Sequence, residues 1–303
     1  VDAGIQNLSQ RESTVDAPVA SRELSVSLVQ TFQGESDPED EDSPEGASEV
    51  AAYDNGRLFV TNGNLGRVDV FTLADGSLET IDLSFIDGYD GIQSVAAGGG
   101  VVIAVTDVEP TDGAPNNGLA AIFDQETLDL ITTVETGNLP DSVSISPDGT
   151  SALIANEGEF NGESDLTVNA PGGVTIVDLS DLESISTTTV GFEGVDASAL
   201  RIFPGIDPVL DIEPEFTTYT PDGTLGIVSL QENNGLAVVD IAAGEIAGVI
   251  SSGLQDHSVE GRGMDTTDDE VIDILPRATV GMRMPDTIAT ATFGGTTYVI
   301  GAN

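Results

Sequence analysis

The side chains in this sequence that could do chemistry are carboxylates, and they gather at particular places. Asp107, Glu109 and Asp112 fall in DVEPTDGAPNNG, directly after a β-rich run. Glu157, Glu159, Glu163 and Asp165 fall in NEGEFNGESDLTVNAPGG, residues 156–173. Glu213 and Glu215 precede another β-rich unit, Glu232 follows its second strand, and Asp256 opens an Asp-His-Ser triplet. Oxygen donors without cysteine and with one histidine suit a hard cation, Ca²⁺ ahead of Mg²⁺ or Mn²⁺. The alternating carboxylates of 156–173 resemble a calcium loop without its full spacing. The competing reading gives the same residues to capping strand ends and bonding loop backbone.

Nucleophilic chemistry has less to draw on. Asp256, His257 and Ser258 are adjacent in sequence, whereas members of a catalytic triad meet through space. His257 is the only imidazole, so acid–base work near neutral pH falls to it or to a shifted carboxylate. The structural alternative is a histidine held by a carboxylate. Arg262 and Arg283 are the cations to test if the substrate is a phosphoester. Arginines in so anionic a chain more often pair with neighbouring carboxylates.

The whole composition frames these candidates. The chain has 303 residues, with 53 Asp and Glu against 8 cations, a formal net charge of −45. All the cations are arginine; cysteine and tryptophan are absent. Disulfide scaffolds, thiolate nucleophiles and cysteine-zinc sites are thereby excluded. A polyanion of this density repels nucleic acid and anionic lipid. With 39% hydrophobic residues the chain has a normal core under an acidic coat, which suits brine or calcium-rich water outside the cell. No apolar run approaches the roughly 18 residues of a membrane span. Residues 1–20 lack the basic start and apolar stretch of a secretory signal, so the expectation is a processed or differently exported protein, extracellular or at the cell surface.

Positioning of the carboxylates falls to a repeated unit of four short β-rich segments. PDSVSIS-PDG-TSALIANE (140–157) with GGVTIVDLSD, and PEFTTYT-PDG-TLGIVSLQE (214–232) with GLAVVDI, are its fullest copies. ASEVAAYD-NG-RLFVTN, GIQSVAAGGG-VVIAVTD and PDTIATATFGG-TTYVIGAN are further ones. Asn-Gly, Gly-Gly and Pro-Asp-Gly punctuate the first turn, where left-handed backbone is required. The spacing predicts an all-β protein, a β-propeller of four-stranded blades, over 24–303; a β-sandwich is the competing all-β answer. Residues 1–23 read as a flexible lead-in, Leu24–Phe32 as a strand, 34–46 as an acidic loop, and 158–171, 191–213 and 253–284 as insertions. The fifth unit stops after its second strand. The expectation is a fragment of a longer propeller, or a blade completed by a partner or by Leu24–Phe32.

In ASEVAAYDNGRLFVTN, GNLPDSVSISPDGTSALIANEGE, EPEFTTYTPDGTLGIVSLQENNGLAVVDI, LQDHSVEG and MRMPDTIATATFGGTTYVIGAN the sequence resembles the choice-of-anchor I family of secreted bacterial proteins. The family is related to animal mesenchyme-specific cell-surface glycoproteins. The resemblance covers roughly 24–303 and implies an extracellular, seven-bladed-type propeller; some members carry an alkaline-phosphatase label. The resulting expectation is a calcium-binding surface module, structural or interacting, able to assemble with copies of itself or with surface proteins. It involves neither nucleic acid nor membrane insertion. A calcium-dependent phosphoester hydrolase is the alternative.

Overall fold

Runs such as VVIAV and ALIA are apolar at every position, and GIVSL at all but Ser229, which fits strands covered on both faces. The computed structural model describes residues 27–28, 30–32, 48–111, 113–158 and 169–302. The chain divides into two units, 1–33 and 34–303, and all regular structure described lies in the second. Residues 27–28 and 30–32 carry no strand, and the rest of 1–47 lies outside the described residues, the expected acidic loop included.

Six antiparallel sheets follow one another among the described residues. Blade one is β1 (Ala51–Asp54), β2 (Arg57–Asn62), β3 (Arg67–Thr72) and β4 (Leu78–Asp82). Blade two is β5 (Tyr89–Gly98), β6 (Val101–Val108), β7 (Asn117–Asp124) and β8 (Leu130–Asn138). Blade three is β9 (Pro140–Ile145), β10 (Ser151–Asn156), β11 (Gly173–Asp178) and β12 (Ser186–Gly191). Blade four is β13 (Thr217–Tyr219), β14 (Leu225–Leu230), β15 (Gly235–Asp240) and β16 (Glu245–Ser251). A ribbon of β17 (Leu254–Asp256) and β18 (Val280–Met282) comes next, then the pair β19 (Ile288–Phe293) and β20 (Thr296–Gly301). Each four-stranded sheet is a simple meander, and the first strands β1, β5, β9, β13 and β19 lie side by side in chain order. This is the β-propeller arrangement.

The apolar runs act in both directions. In β6, Val102 and Ala104 pack with Phe59, Val68 and Val70 of blade one, while Val101, Ile103 and Val105 pack with Ala152 and Ile154 of blade three. In β10, Leu153 and Ala155 turn to Val228 and Ala237 of blade four. Side chains alternate across a strand, so each middle strand supplies two interfaces at once.

The first turns repeat a hydrogen-bonded device. Asp148 Oδ1 accepts from Ser146 Oγ at 2.7 Å and Thr150 N at 3.1 Å. Asp222 Oδ1 accepts from Thr220 Oγ1 at 2.7 Å and Thr224 N at 3.2 Å. These bonds hold both carboxyls below the usual carboxylate range. Asp75, Asp82, Asp178 and Asp196 are held low in the same way by serines two residues on. Part of the acidity is therefore turn chemistry. Adjacent blades also meet at glycine: a Cβ on Gly99 would lie 2.7 Å from Gly149 Cα.

Two expected insertions are built structures. Residues 191–213 contain a 3₁₀ turn, Ala197–Ala199, and one helical turn, α1 (Pro208–Asp211), capped by Asp207. Residues 253–284 carry the β17–β18 ribbon and a bridge between Met264 and Leu275. From Thr287 to Gly301 there is no charged residue, and Phe293, Tyr298 and Ile300 are exposed.

Candidate functional site

A meander places the end of every second strand, the start of the third, the end of the fourth and the start of the next blade on one face. The connections 192–216 and 252–287 and the described ends of 109–116 and 157–172 belong to that face. The opposite face has tight first turns such as Asn55-Gly56 and Gly294-Gly295, with left-handed backbone as expected.

Adjacent asparagines pin the two longest excursions. Asn233 Nδ2 donates to the carbonyls of Arg201, at 3.2 Å, and Asp211, while its Oδ1 accepts from Glu213 N at 3.0 Å. Asn234 Nδ2 donates to Gly253 O at 3.1 Å, and its Oδ1 accepts from Arg283 N at 2.9 Å. Asn233 thereby sets the segment that delivers Glu215 to the start of blade four.

Glu215 is 8% exposed, and no hydrogen bond reaches its carboxylate among the described residues. Burial pushes it up to about 8, and Glu157, Asp141, Asp286 and Glu232 push the same way. Asp141 rises to about 6, through burial and then the charges of Asp286 and Asp107. Asp107 also rises to about 6 by burial, although Gln93 Nε2 donates to its Oδ2. Among the described residues its Oδ1 is buried without a hydrogen-bond partner, as is the hydroxyl of neighbouring Tyr89. The charges that shift Glu215, Asp141 and Asp107 most are those of other carboxylates. Carboxylates from blades two, three and four, with Asp286 just before β19, thus form an acidic mouth. Beside it a cleft of about 200 Å³ is lined by Asp90, Asp107, Asn116, Asn138 and Gly158.

From the expected set, Glu157 and Glu232 act on Glu215, and Asp107 acts on Asp141. It leaves Glu109 exposed, its carbonyl accepting from Asn116. Glu213 is buried nearby and has partners of its own. Asp112, Glu159, Glu163 and Asp165 lie outside the described residues. Asp141 and Asp286 join the mouth unforeseen; each follows the proline of a Pro-Asp pair that opens a blade, PDSV and PDTI. Among the described residues no three carboxylates or histidines approach closely enough to cage a metal ion. The donor chemistry fits calcium; a preformed cage is not there.

Asp256, His257 and Ser258 form a turn. Ser258 donates to Asp256 Oδ1 through Oγ at 2.7 Å and N at 2.9 Å. His257 Nδ1 lies 2.8 Å from the Arg262 carbonyl, and Gly281 stands against its Nε2. These contacts do not compose a triad. Arg277 pairs with Asp273 at 3.1 Å.

The choice-of-anchor I domain model matches residues 49–303, most of the chain. The chain belongs to the choice-of-anchor I family. No curated protein matches this choice-of-anchor I domain. Solved structures that match include hydrazine synthase from Kuenenia stuttgartiensis, at 14% identity, 64% of each chain and a TM-score of 0.41. Another is the β-propeller domain of Cps50 (Swd1) from Myceliophteria thermophila, at 12% identity, 70% of this chain, 58% of that one and a TM-score of 0.45. A third is a functionally unknown protein from Desulfotomaculum acetoxidans, at 15% identity, 81% of this chain, 59% of that one and a TM-score of 0.45. The choice-of-anchor I domain covers less than two thirds of the length of each. No described helix is long and apolar enough to cross a membrane.

Proposed function

We propose that this choice-of-anchor I propeller is a secreted or cell-surface module, structural or interacting, that binds calcium and presents its long-loop face to partners. The observation that carries the reading is the acidic mouth, where Glu215 is buried and the charges that shift it most are negative. Like-charged carboxylates in a partly desolvated site call for a cation. Oxygen donors with no cysteine and a lone histidine favour calcium over softer metals. Family membership supports display outside the cell.

Thermal unfolding with millimolar calcium, magnesium, or sodium at matched ionic strength, each beside chelator, tests this. A ligand of the native state stabilises by RT ln(1 + [L]/Kd), so calcium should raise the transition by several degrees where magnesium and sodium do not. A response to ionic strength alone would reduce the acidic coat to screening and overturn the calcium reading.

A further inference from the structure

We propose that a groove between the outer strands of blades three and four receives an extended segment of a partner protein, aliphatic at its centre and flanked by arginine or lysine. The groove goes beyond the calcium reading and uses none of the carboxylates assigned there.

The groove has a volume of about 540 Å³ and is bounded by the end of β12, the loop that follows it and the start of β16. Its floor is apolar. Val190, Val195 and Ile246 line it, half-buried, and pack on the buried Phe192 and Ala197. Its rim is acidic, with Glu193, Asp196 and Glu245 exposed. Two of these are held in place. Glu193 folds back until its carboxylate takes the space of a Cβ on Gly191, and Asp196 accepts from Ser198 N at 3.1 Å. A concave, largely preformed surface with a few placed polar groups is the usual form of a binding site.

The occupant follows from the edge, the floor and the charge. β16 is the last strand of its sheet, and among the described residues no strand pairs with its outer side. Ala247, which lines the groove, has no opposite residue in the ladder: Val239 pairs with Ile246 and Val238 with Gly248. A bulge residue left out of the ladder offers its backbone to whatever lies alongside, and an extended peptide can meet both amide and carbonyl. The apolar floor takes an aliphatic side chain, and the carboxylates of the rim complement cations on either side of it. A second copy of the chain is the poorer match, since each copy brings a net charge of −45 and no lysine.

The test is fluorescence anisotropy of a labelled, capped Arg-Val-Ile-Arg peptide, titrated with the full chain at neutral pH and physiological salt. Gln-Val-Ile-Gln and Arg-Ser-Ser-Arg are run beside it. The first peptide should bind one to one, equally in millimolar calcium and in chelator, and each of the others at least tenfold more weakly. Glu193→Lys and Glu245→Lys, both at exposed positions, should each weaken binding at least fivefold. Asp129→Lys, the same change of charge on the exposed β7–β8 turn, should leave it unaltered. Absence of binding would overturn the proposal. Equal binding of Arg-Ser-Ser-Arg, or an equal loss in all three variants, would also overturn it by reducing the attraction to the general anionic field. Competition by calcium would place the peptide among the calcium ligands instead. Self-association of the chain that disappears in Glu193→Lys would give the groove to a second copy, and either result would count against a separate partner.

Discussion

Asn233 and Asn234 stand side by side in the β14–β15 turn and hold different excursions of the chain, Asn233 the segment before blade four and Asn234 the segment after it. Asn234 has φ 54°, a left-handed conformation that asparagine tolerates better than most side chains. Two neighbouring amides therefore set the positions of Glu215 and of the β17–β18 ribbon.

Asn233→Ala should cost about 3 kcal/mol, because it strands the Glu213 amide and two carbonyls in a buried setting. Asn234→Gly keeps the left-handed backbone and loses only the side-chain ties, so it should cost about 1 kcal/mol. Urea unfolding of the two variants gives the comparison; equal losses would show that the ties of Asn234 to Gly253 and Arg283 carry as much stability as those of Asn233.

Stability of the metal-free protein should fall as pH rises from acid towards 8. Glu215 ordinarily titrates at 4.5 and is pushed up to about 8 in the fold. Across that window the folded state keeps a proton that the unfolded chain has released, so stability is lost with rising pH. Asp107 and Asp141 add losses between 3.8 and about 6. Turn aspartates such as Asp148 and Asp222, whose values are lowered, act oppositely: their contribution disappears only as pH drops below 3.8. Transition temperatures in chelator from pH 4 to 9 trace the curve, and a flat profile between 5 and 8 would contradict the assignment.

Glu215→Gln should be more stable than wild type at pH 8 in chelator, by several degrees. The advantage should vanish near pH 5, where the wild-type carboxyl is already neutral. A gain that persists at pH 5 would mean that the amide finds new hydrogen bonds.

Gly99→Ala and Gly149→Ala should each destabilise by about 1–3 kcal/mol, since a Cβ on either would sit within 2.7 Å of the other residue's Cα. Both positions also have left-handed φ, 61° and 74°. Either substitution opens the same contact, so the double variant should lose less than the sum. Additive losses in chemical denaturation would show that backbone strain alone is responsible.

The blades were legible because middle strands buried on both faces leave an unmistakable signature. VVIAV, ALIA and GIVSL read as inner strands, and the turns fall at their glycines, as at Gly56 and Gly149. Glu215, Glu157, Glu232 and Asp107 were reachable because strand ends share a face. Asp141 and Asp286 were not, since nothing local distinguishes a Pro-Asp at a blade opening from Pro147-Asp148 or Pro221-Asp222 in a tight turn. Only juxtaposition across blades separates a carboxylate that faces others from one that binds its own serine or threonine. Asp256 shows the converse: its neighbours His257 and Ser258 suggested chemistry, and Ser258 turns out to be its turn partner.

The uncharged β19–β20 pair bears on how this protein behaves as a colloid. Elsewhere its carboxylates keep molecules apart, but Thr287–Gly301 carries no charge and exposes the side chains of Phe293, Tyr298 and Ile300. In dilute buffer the long-range repulsion of a −45 particle masks that stripe. Concentrated salt shortens the range of repulsion to a few ångströms and leaves the stripe adhesive, so the same brine that relaxes the acidic coat sets the concentration at which solutions gel or precipitate.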